Sequence, residues 1–183
     1  MMKALKYFLI AVMVMGFISA VSLKAFADDA KTIDANVDSS LSKFSETQGA
    51  DEVLKKAAGV LVFPAVFKAG IGIGGEYGEG ALRVGGKTVD YYNTAAASIG
   101  FQFGGQKKTI IMAFMNTEAL DKFRASTGWK VGGDLSVAVI AVGAGASIDT
   151  AKLNEPIIAF VLDQKGLMYN ITLEGSKITK IKK

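Results

Sequence analysis

The chain has 183 residues, with 21 lysines and arginines against 17 acidic residues and neither histidine nor cysteine. Lacking an imidazole or a thiolate, it cannot build a Ser-His-Asp triad, a thiol nucleophile or most zinc sites, and acid–base work would fall to retuned carboxylates and lysines. The net charge is only +4, and no cluster of basic residues interleaved with aromatics points to nucleic acid.

The first 27 residues read as an export signal. Lys3 and Lys6 precede an apolar run from Phe8 to Val21, and Ala25-Phe26-Ala27 offers a small-x-small cleavage site, so the mature chain is expected to begin at Asp28. The apolar run is shorter than the roughly 20 residues that span a bilayer. Lys3, Lys6 and Lys24 leave with it, so the 21 basic residues fall to 18 against 17 acidic, a net charge of +1. With no cysteine after the run there is no acceptor for a lipoprotein anchor. The expectation is an exported chain, periplasmic or secreted, with one domain over residues 28–183.

From Ile33 to about Ala58 the pattern is helical, because Ile33, Val37, Leu41 and Phe44 recur at three- and four-residue spacing; Gly49 divides it into two helices. Ser40 and Lys43 match a serine acyl-enzyme Ser-x-x-Lys, yet its partner motifs are missing, and a solvated helix face explains them better.

After Gly59 the character turns to strands. Val60 to Phe63 is an apolar run stopped by Pro64, and Ala69 to Tyr77 alternates glycine with Ile71 and Ile73, which gives one side-chain-free face open to another backbone or a ligand. Ala81 to Val84 and Lys87 to Tyr92 flank the hairpin signal Gly85-Gly86. Gly70, Gly72 and Gly75 satisfy Gly-x-Gly-x-x-Gly, but strand-like sequence follows where a dinucleotide site needs a helix, and Gly86-Lys87-Thr88 lacks the first glycine of a phosphate loop.

Ser98 to Phe103 and Thr109 to Met115 read as a second hairpin turning at Gly104 to Lys108. Asn116 or Thr117 then caps a short helix near residues 117–126, with Leu120 and Phe123 inward and Gly128 as its stop. Leu135 to Ile148 reads as a long strand of small residues. Pro156 to Leu162 and Leu167 to Leu173 form a hairpin, and Glu174-Gly175 turns into a last strand ending near Ile181. The sum is about eight strands with helices at the start and middle: an α+β fold around a curved, mostly antiparallel, glycine-rich sheet, which its 20 mature glycines would ease toward a closed barrel.

The ordered motifs Ala57-Ala58-Gly59-Val60-Leu61-Val62-Phe63-Pro64, Lys68-Ala69-Gly70, Gly74-Gly75, Tyr77-Gly78-Glu79-Gly80 and Ser98-Ile99-Gly100-Phe101-Gln102-Phe103-Gly104 resemble the SYLF domain family over roughly residues 34–183. The resemblance implies a lipid-binding module without catalytic residues, metal or cofactor, whose amphipathic N-terminal helix, here Ile33 to Phe44, assists membrane association. That helix carries Asp34, Asp38 and Glu46 against Lys31 and Lys43, a poor balance for an anionic surface, so packing against the core is its better reading. The resemblance also implies a phospholipid or membrane surface as partner, whereas cytoplasmic actin would not meet an exported chain.

The residues singled out for lipid are Lys68, Lys107 and Lys108 as phosphate-facing ammonium groups and Phe63, Phe67 and Tyr77 as an apolar lining. Gly70, Gly72, Gly74, Gly75, Gly78 and Gly80 form the structural motif around them. Two other classes compete. A small outer-membrane β-barrel shares the leader, strands and glycines but requires aromatic girdles, and the aromatics here are scattered. An enzyme would use Glu76 and Glu79, with Asp134 or Asp163, as a carboxylate set, and nothing in the sequence makes them converge.

Overall fold

A computed structural model describes residues 28–134, 136–143, 148, 154–165, 173 and 175–183. The leader therefore lies outside the described residues. The elements in chain order are α1 (Ala30–Ser45), α2 (Ala50–Lys56), β1 (Gly59–Val84), β2 (Lys87–Phe114), α3 (Thr117–Ala125), β3 (Trp129–Lys130), β4 (Ala138–Ala141), β5 (Ile157–Lys165) and β6 (Lys177–Ile181). This is the expected α+β architecture, with its sheet curled into a half-barrel.

Each helix starts where its sequence provides an acceptor or a turn. The Asp29 carboxylate accepts from the Thr32 N–H at 2.7 Å to open α1, and that bond holds its pKa below the ordinary aspartate value. Gly49, at φ 90°, makes the left-handed corner before α2, as expected of the residue that divides the two helices. The Asn116 side chain caps α3 through the Ala119 N–H at 2.8 Å, and the helix closes at Ser126 rather than at Gly128.

The sheet is organised by one long ribbon, β1 paired antiparallel with β2 from Gly59↔Phe114 to Val84↔Lys87. Its turn is Gly85-Gly86, both at positive φ, the two-residue geometry that matches strand twist. The free edge of β2 recruits β6 along Tyr91 to Ala95 and β5 along Lys107 to Phe114, giving the order β3-β6-β2-β5-β4. All pairs are antiparallel except β4 with β5.

Two expected interruptions are absent. Pro64 does not end its strand; the ladder shifts register between Phe63 and Val66 and continues, because a bulge tolerates the missing proline N–H. Gly104 to Lys108 do not turn either. They pair with Gly70, Ala69, Lys68, Phe67 and Val66 across the ribbon, so the glycines of one strand face those of the other and the local turn signal is overridden. The long strand expected over 135–148 is reduced to Ala138–Ala141, with Leu135 and residues 144–147 outside the described residues. The partner strand expected over 167–173 lies outside them too, apart from Leu173.

The ribbon bends so far that β1 meets itself. A Cβ built on Gly80 would lie 2.0 Å from the Val62 carbonyl oxygen, and one on Gly78 would lie 2.7 Å from that of Ala65. At Gly78 and Gly80 the space a side chain would take is thus occupied by backbone of the same strand.

Two cores result, one on each face. Leu61, Phe63, Val66, Leu82, Ile110, Met112, Phe114, Ile157 and Ala159 point into the curl, where α3 inserts Leu120 and Phe123. There Phe123 lies with its ring centroid 4.9 Å from Phe114 and Tyr92 and 5.7 Å, edge-on, from Trp129. Val60, Val62, Ile111, Ala113, Ile158, Phe160 and Leu162 point outward under α1 and α2, where Phe44 stacks 4.8 Å from Phe160. Burial on both faces explains why these strands read as unbroken apolar runs.

Candidate functional site

On the outer face, α1 turns one stripe down and another sideways. Ile33, Val37 and Phe44 are at most 1% exposed, so the apolar stripe that the resemblance assigns to a membrane is spent on the outer core. Carboxylates fasten the same helix to the ribbon. Arg83 donates to Asp38 at 2.6 Å, and Thr88 and Tyr91 donate to the two oxygens of Asp34 at 2.7 and 3.0 Å.

Beside that stripe run Asn36, Ser39, Ser40 and Lys43, spaced three, four and seven residues on, which is one flank of a helix. With Pro64, Ala65, Lys107, Thr109, Leu162 and Asp163 they enclose a cleft of about 340 Å³. A smaller extension of about 40 Å³ shares Asn36, Pro64 and Ala65 and reaches Phe67, Tyr77 and Glu79.

Bulges open the cleft from both sheet walls. At Pro64 the ladder with β2 shifts, and the proline carbonyl accepts the Thr109 hydroxyl at 2.9 Å. On β5 the register with β2 shifts between Lys107 and Thr109, and Asp163 adopts φ 54°, the left-handed conformation that asparagine and aspartate tolerate best among side-chain-bearing residues. The turned carboxylate of Asp163 pairs with Lys43 across the cleft. Both side chains are more than one-third exposed, so the pair is weak and open to exchange with another anion. Lys107 holds its ammonium 5.8 Å from the ring centroid of Phe67, and no carboxylate among the described residues pairs with it.

The six residues singled out for lipid separate. Lys107, Phe67 and Tyr77 border the cleft or its extension. Lys68 is partly buried opposite Gln106 and lines neither part. Phe63 is fully buried in the inner core, and Lys108 lies inside the curl with its ammonium 2.9 and 3.0 Å from the two oxygens of Glu76. The reason is strand alternation, since Phe67↔Lys107 point outward together and Val66↔Lys108 inward. Of the six glycines, Gly78 and Gly80 form the self-crossing, while Gly70, Gly72, Gly74 and Gly75 lie in the ribbon opposite Gly104, Gly100, Ser98 and Ala97.

The carboxylates weighed for catalysis do not converge. Glu76 holds Lys108, Glu79 holds Tyr77 and Lys183, Asp134 accepts from the Lys130 N–H at 2.7 Å, and Asp163 holds Lys43. Nor does any group of three or more acidic side chains among the described residues form a metal-binding set.

Two tyrosines report this packing. Burial, then the hydrogen bond to Glu79, pushes Tyr77 up to about 12; burial, then the charge of Asp90, pushes Tyr92 up to about 12. The unfolded chain ionises its tyrosines near 10, so their contribution is complete below that pH and is lost as pH rises from 10 to 12. Absorbance at 295 nm should therefore show these two phenols titrating late, together with that of Tyr91, which burial and then its bond to Asp34 also raise, with unfolding across the same window; all tyrosines titrating together near 10 in folded protein would contradict the burial.

Asn36, Ser39, Ser40, Thr109 and Asp163 were not among the residues picked for binding. The polar stripe at helical spacing was a usable signal for the first three, whereas the bulges that aim Thr109 and Asp163 have no local signature.

These features define a class: an α+β half-barrel whose helix-walled polar cleft holds exchangeable cations. Residues 95–183 match the model of the Ysc84 family, described as Las17-binding protein actin regulator, which is the SYLF family that the motifs resemble. The matched stretch begins on β2, so the Ala57 to Gly80 motifs precede it. Among curated proteins no match is found.

Proposed function

We propose that this is an exported, non-enzymatic lipid-binding protein, acting in the periplasm or outside the cell, whose α1 cleft receives the anionic headgroup of a phospholipid or related amphiphile. The observation that carries the reading is the pairing, at one cleft mouth, of an exposed aromatic with a cation. Phe67 is 45% exposed beneath Lys107, and behind them lie Lys43 and the hydroxyls of Ser39 and Ser40. A phosphate can exchange into the loose Lys43–Asp163 pair while Phe67 meets the acyl boundary. The description of the family by what it binds supports a binding role; cytoplasmic actin is outside the reach of an exported chain.

A lipid-embedded barrel accounts less well for the same features. Such a barrel turns a continuous apolar band outward, whereas here α1 and α2 cover the outer face of β1, β2 and β5.

Vesicle co-sedimentation tests the proposal. Vesicles with 30% anionic phospholipid should bind the protein, neutral vesicles should bind it weakly, and Lys107→Glu, a change of two charges at roughly 1 kcal/mol per charge near the surface, should reduce anionic binding about thirtyfold. Phe67→Ala should weaken both. Failure to bind either kind of vesicle removes the proposal.

A further inference from the structure

We infer that Glu79 is a socket for the chain end created when the leader is cut after Ala27, so that processing itself completes the docking of α1. This rests on the export reading above. The Asp28 N–H donates to Glu79 Oε2 at 3.1 Å, where both residues line the cleft extension. The same carboxylate accepts the Tyr77 hydroxyl at 2.7 Å and the Lys183 ammonium at 2.7 Å, and Lys183 also donates to the Asp28 carbonyl at 2.7 Å. The Glu79 side chain is only 7% exposed and that of Lys183 only 12%. A nearly buried carboxylate has thus been placed against the first backbone nitrogen of the expected mature chain, 51 residues away in sequence.

Hydrolysis of the Ala27–Asp28 bond by a leader protease and water releases the Ala27 carboxylate with the leader and converts the Asp28 amide into an ammonium. An amide N–H gives the Glu79 carboxylate a hydrogen bond from a dipole; an ammonium gives it one from a full positive charge, which adds an ion pair at the same place. The local charges agree with that conversion. Before the cut, Asp28, Asp29 and Glu79 stand against Lys183 and Lys31, of which Lys183 contacts Glu79, and afterwards one more cation joins them. Asp28 leads directly into the cap of α1, so a tighter hold there fixes the helix that walls the cleft. The uncut chain keeps α1 less firmly docked, which suits a precursor that must stay loose until it has crossed a membrane.

Among the described residues both cores begin at Ile33, so the chain from Asp28 is the folding unit to test. It is released from a cleavable fusion to start at Asp28, and a companion keeps Ala27 in front, which moves the ammonium one residue away. In urea the Asp28 start should have an unfolding constant about tenfold lower than the companion, for the gain of one charged partner at a nearly buried carboxylate. In a Glu79→Gln background the two starts should unfold alike. Equal midpoints with Glu79 present, or a difference that survives Glu79→Gln, would overturn the socket. N-terminal sequencing of the protein exported from cells is the separate check on the export reading: Asp28 as first residue supports it, and any other start overturns the cut site and with it the use of the socket.

Discussion

Gly80→Ala should lower the urea midpoint of the fold sharply. The added methyl would lie 2.0 Å from the Val62 carbonyl oxygen and 2.8 Å from Phe63 Cδ1, where ordinary contact begins near 3.4 Å. A flexible side chain could swing away; a backbone carbonyl inside a paired strand cannot. The two arms of β1 would have to part, and both cores depend on their distance, because Val62 packs outward beneath the helices while Phe63 and Leu82 pack inward around α3. Overpacking of a well-filled interior costs about 1–3 kcal/mol and more where backbone must move, against a total stability of about 5–15 kcal/mol. We expect a loss of at least about 3 kcal/mol. Gly78→Ala, 2.7 Å from the Ala65 carbonyl oxygen, should follow closely, whereas Gly75→Ala meets nothing nearer than 3.9 Å and should be mild. Urea unfolding of the three variants checks the order, and a wild-type midpoint for Gly80→Ala would mean that the arms do not cross as described.

Lys108→Met should cost about 3–5 kcal/mol, because it leaves the Glu76 carboxylate charged and unpaired inside the curl. The two side chains are 9% and 7% exposed, and they come from opposite arms of the ribbon: Lys108 faces Val66 across the ladder, while Glu76 lies ten residues further along β1. Glu76→Leu alone should be as damaging, through the stranded ammonium. Combining the two replaces a desolvated ion pair with apolar packing of similar volume, so the double variant should recover most of the loss. A coupling energy above about 2 kcal/mol in the double-mutant cycle is expected, little affected by salt, since the pair is shielded from solvent. Additive losses would show that the pair is not a single buried unit. The Lys43–Asp163 pair at the cleft is the contrast: Lys43→Ala should change stability by less than about 1 kcal/mol, in keeping with its exposure.

The same alternation decides how much of the site could be read in advance. The helices, their caps at Gly49 and Asn116, the Gly85-Gly86 turn and the last strand all rest on signals a few residues long, and each is found where the sequence puts it. The glycine pair Gly104-Gly105 failed as a turn signal because β1 supplies Gly70 and Ala69 as its partners, a fact that lies 34 and 36 residues away in sequence. Once that stretch is a strand, period two alone separates Lys107, outward over Phe67, from Lys108, inward to Glu76. Reading the two lysines as one hairpin tip hid the distinction. The cleft was less legible than the fold, since its walls are bulges at Pro64 and Asp163 that exist only when three strands are in register. Half of it nevertheless stood in plain view as the polar flank Asn36, Ser39, Ser40 and Lys43.

An amide NMR titration with a micelle-free, short-chain anionic phospholipid tests the central claim most directly. Saturable shifts should gather on Ser39, Ser40, Lys43, Phe67, Lys107 and Asp163 while the methyl groups of Ile33 and Val37 stay in their folded positions, because the headgroup enters beside a docked helix. Shifts centred elsewhere on the half-barrel, or release of α1 from the outer core on binding, would contradict the account.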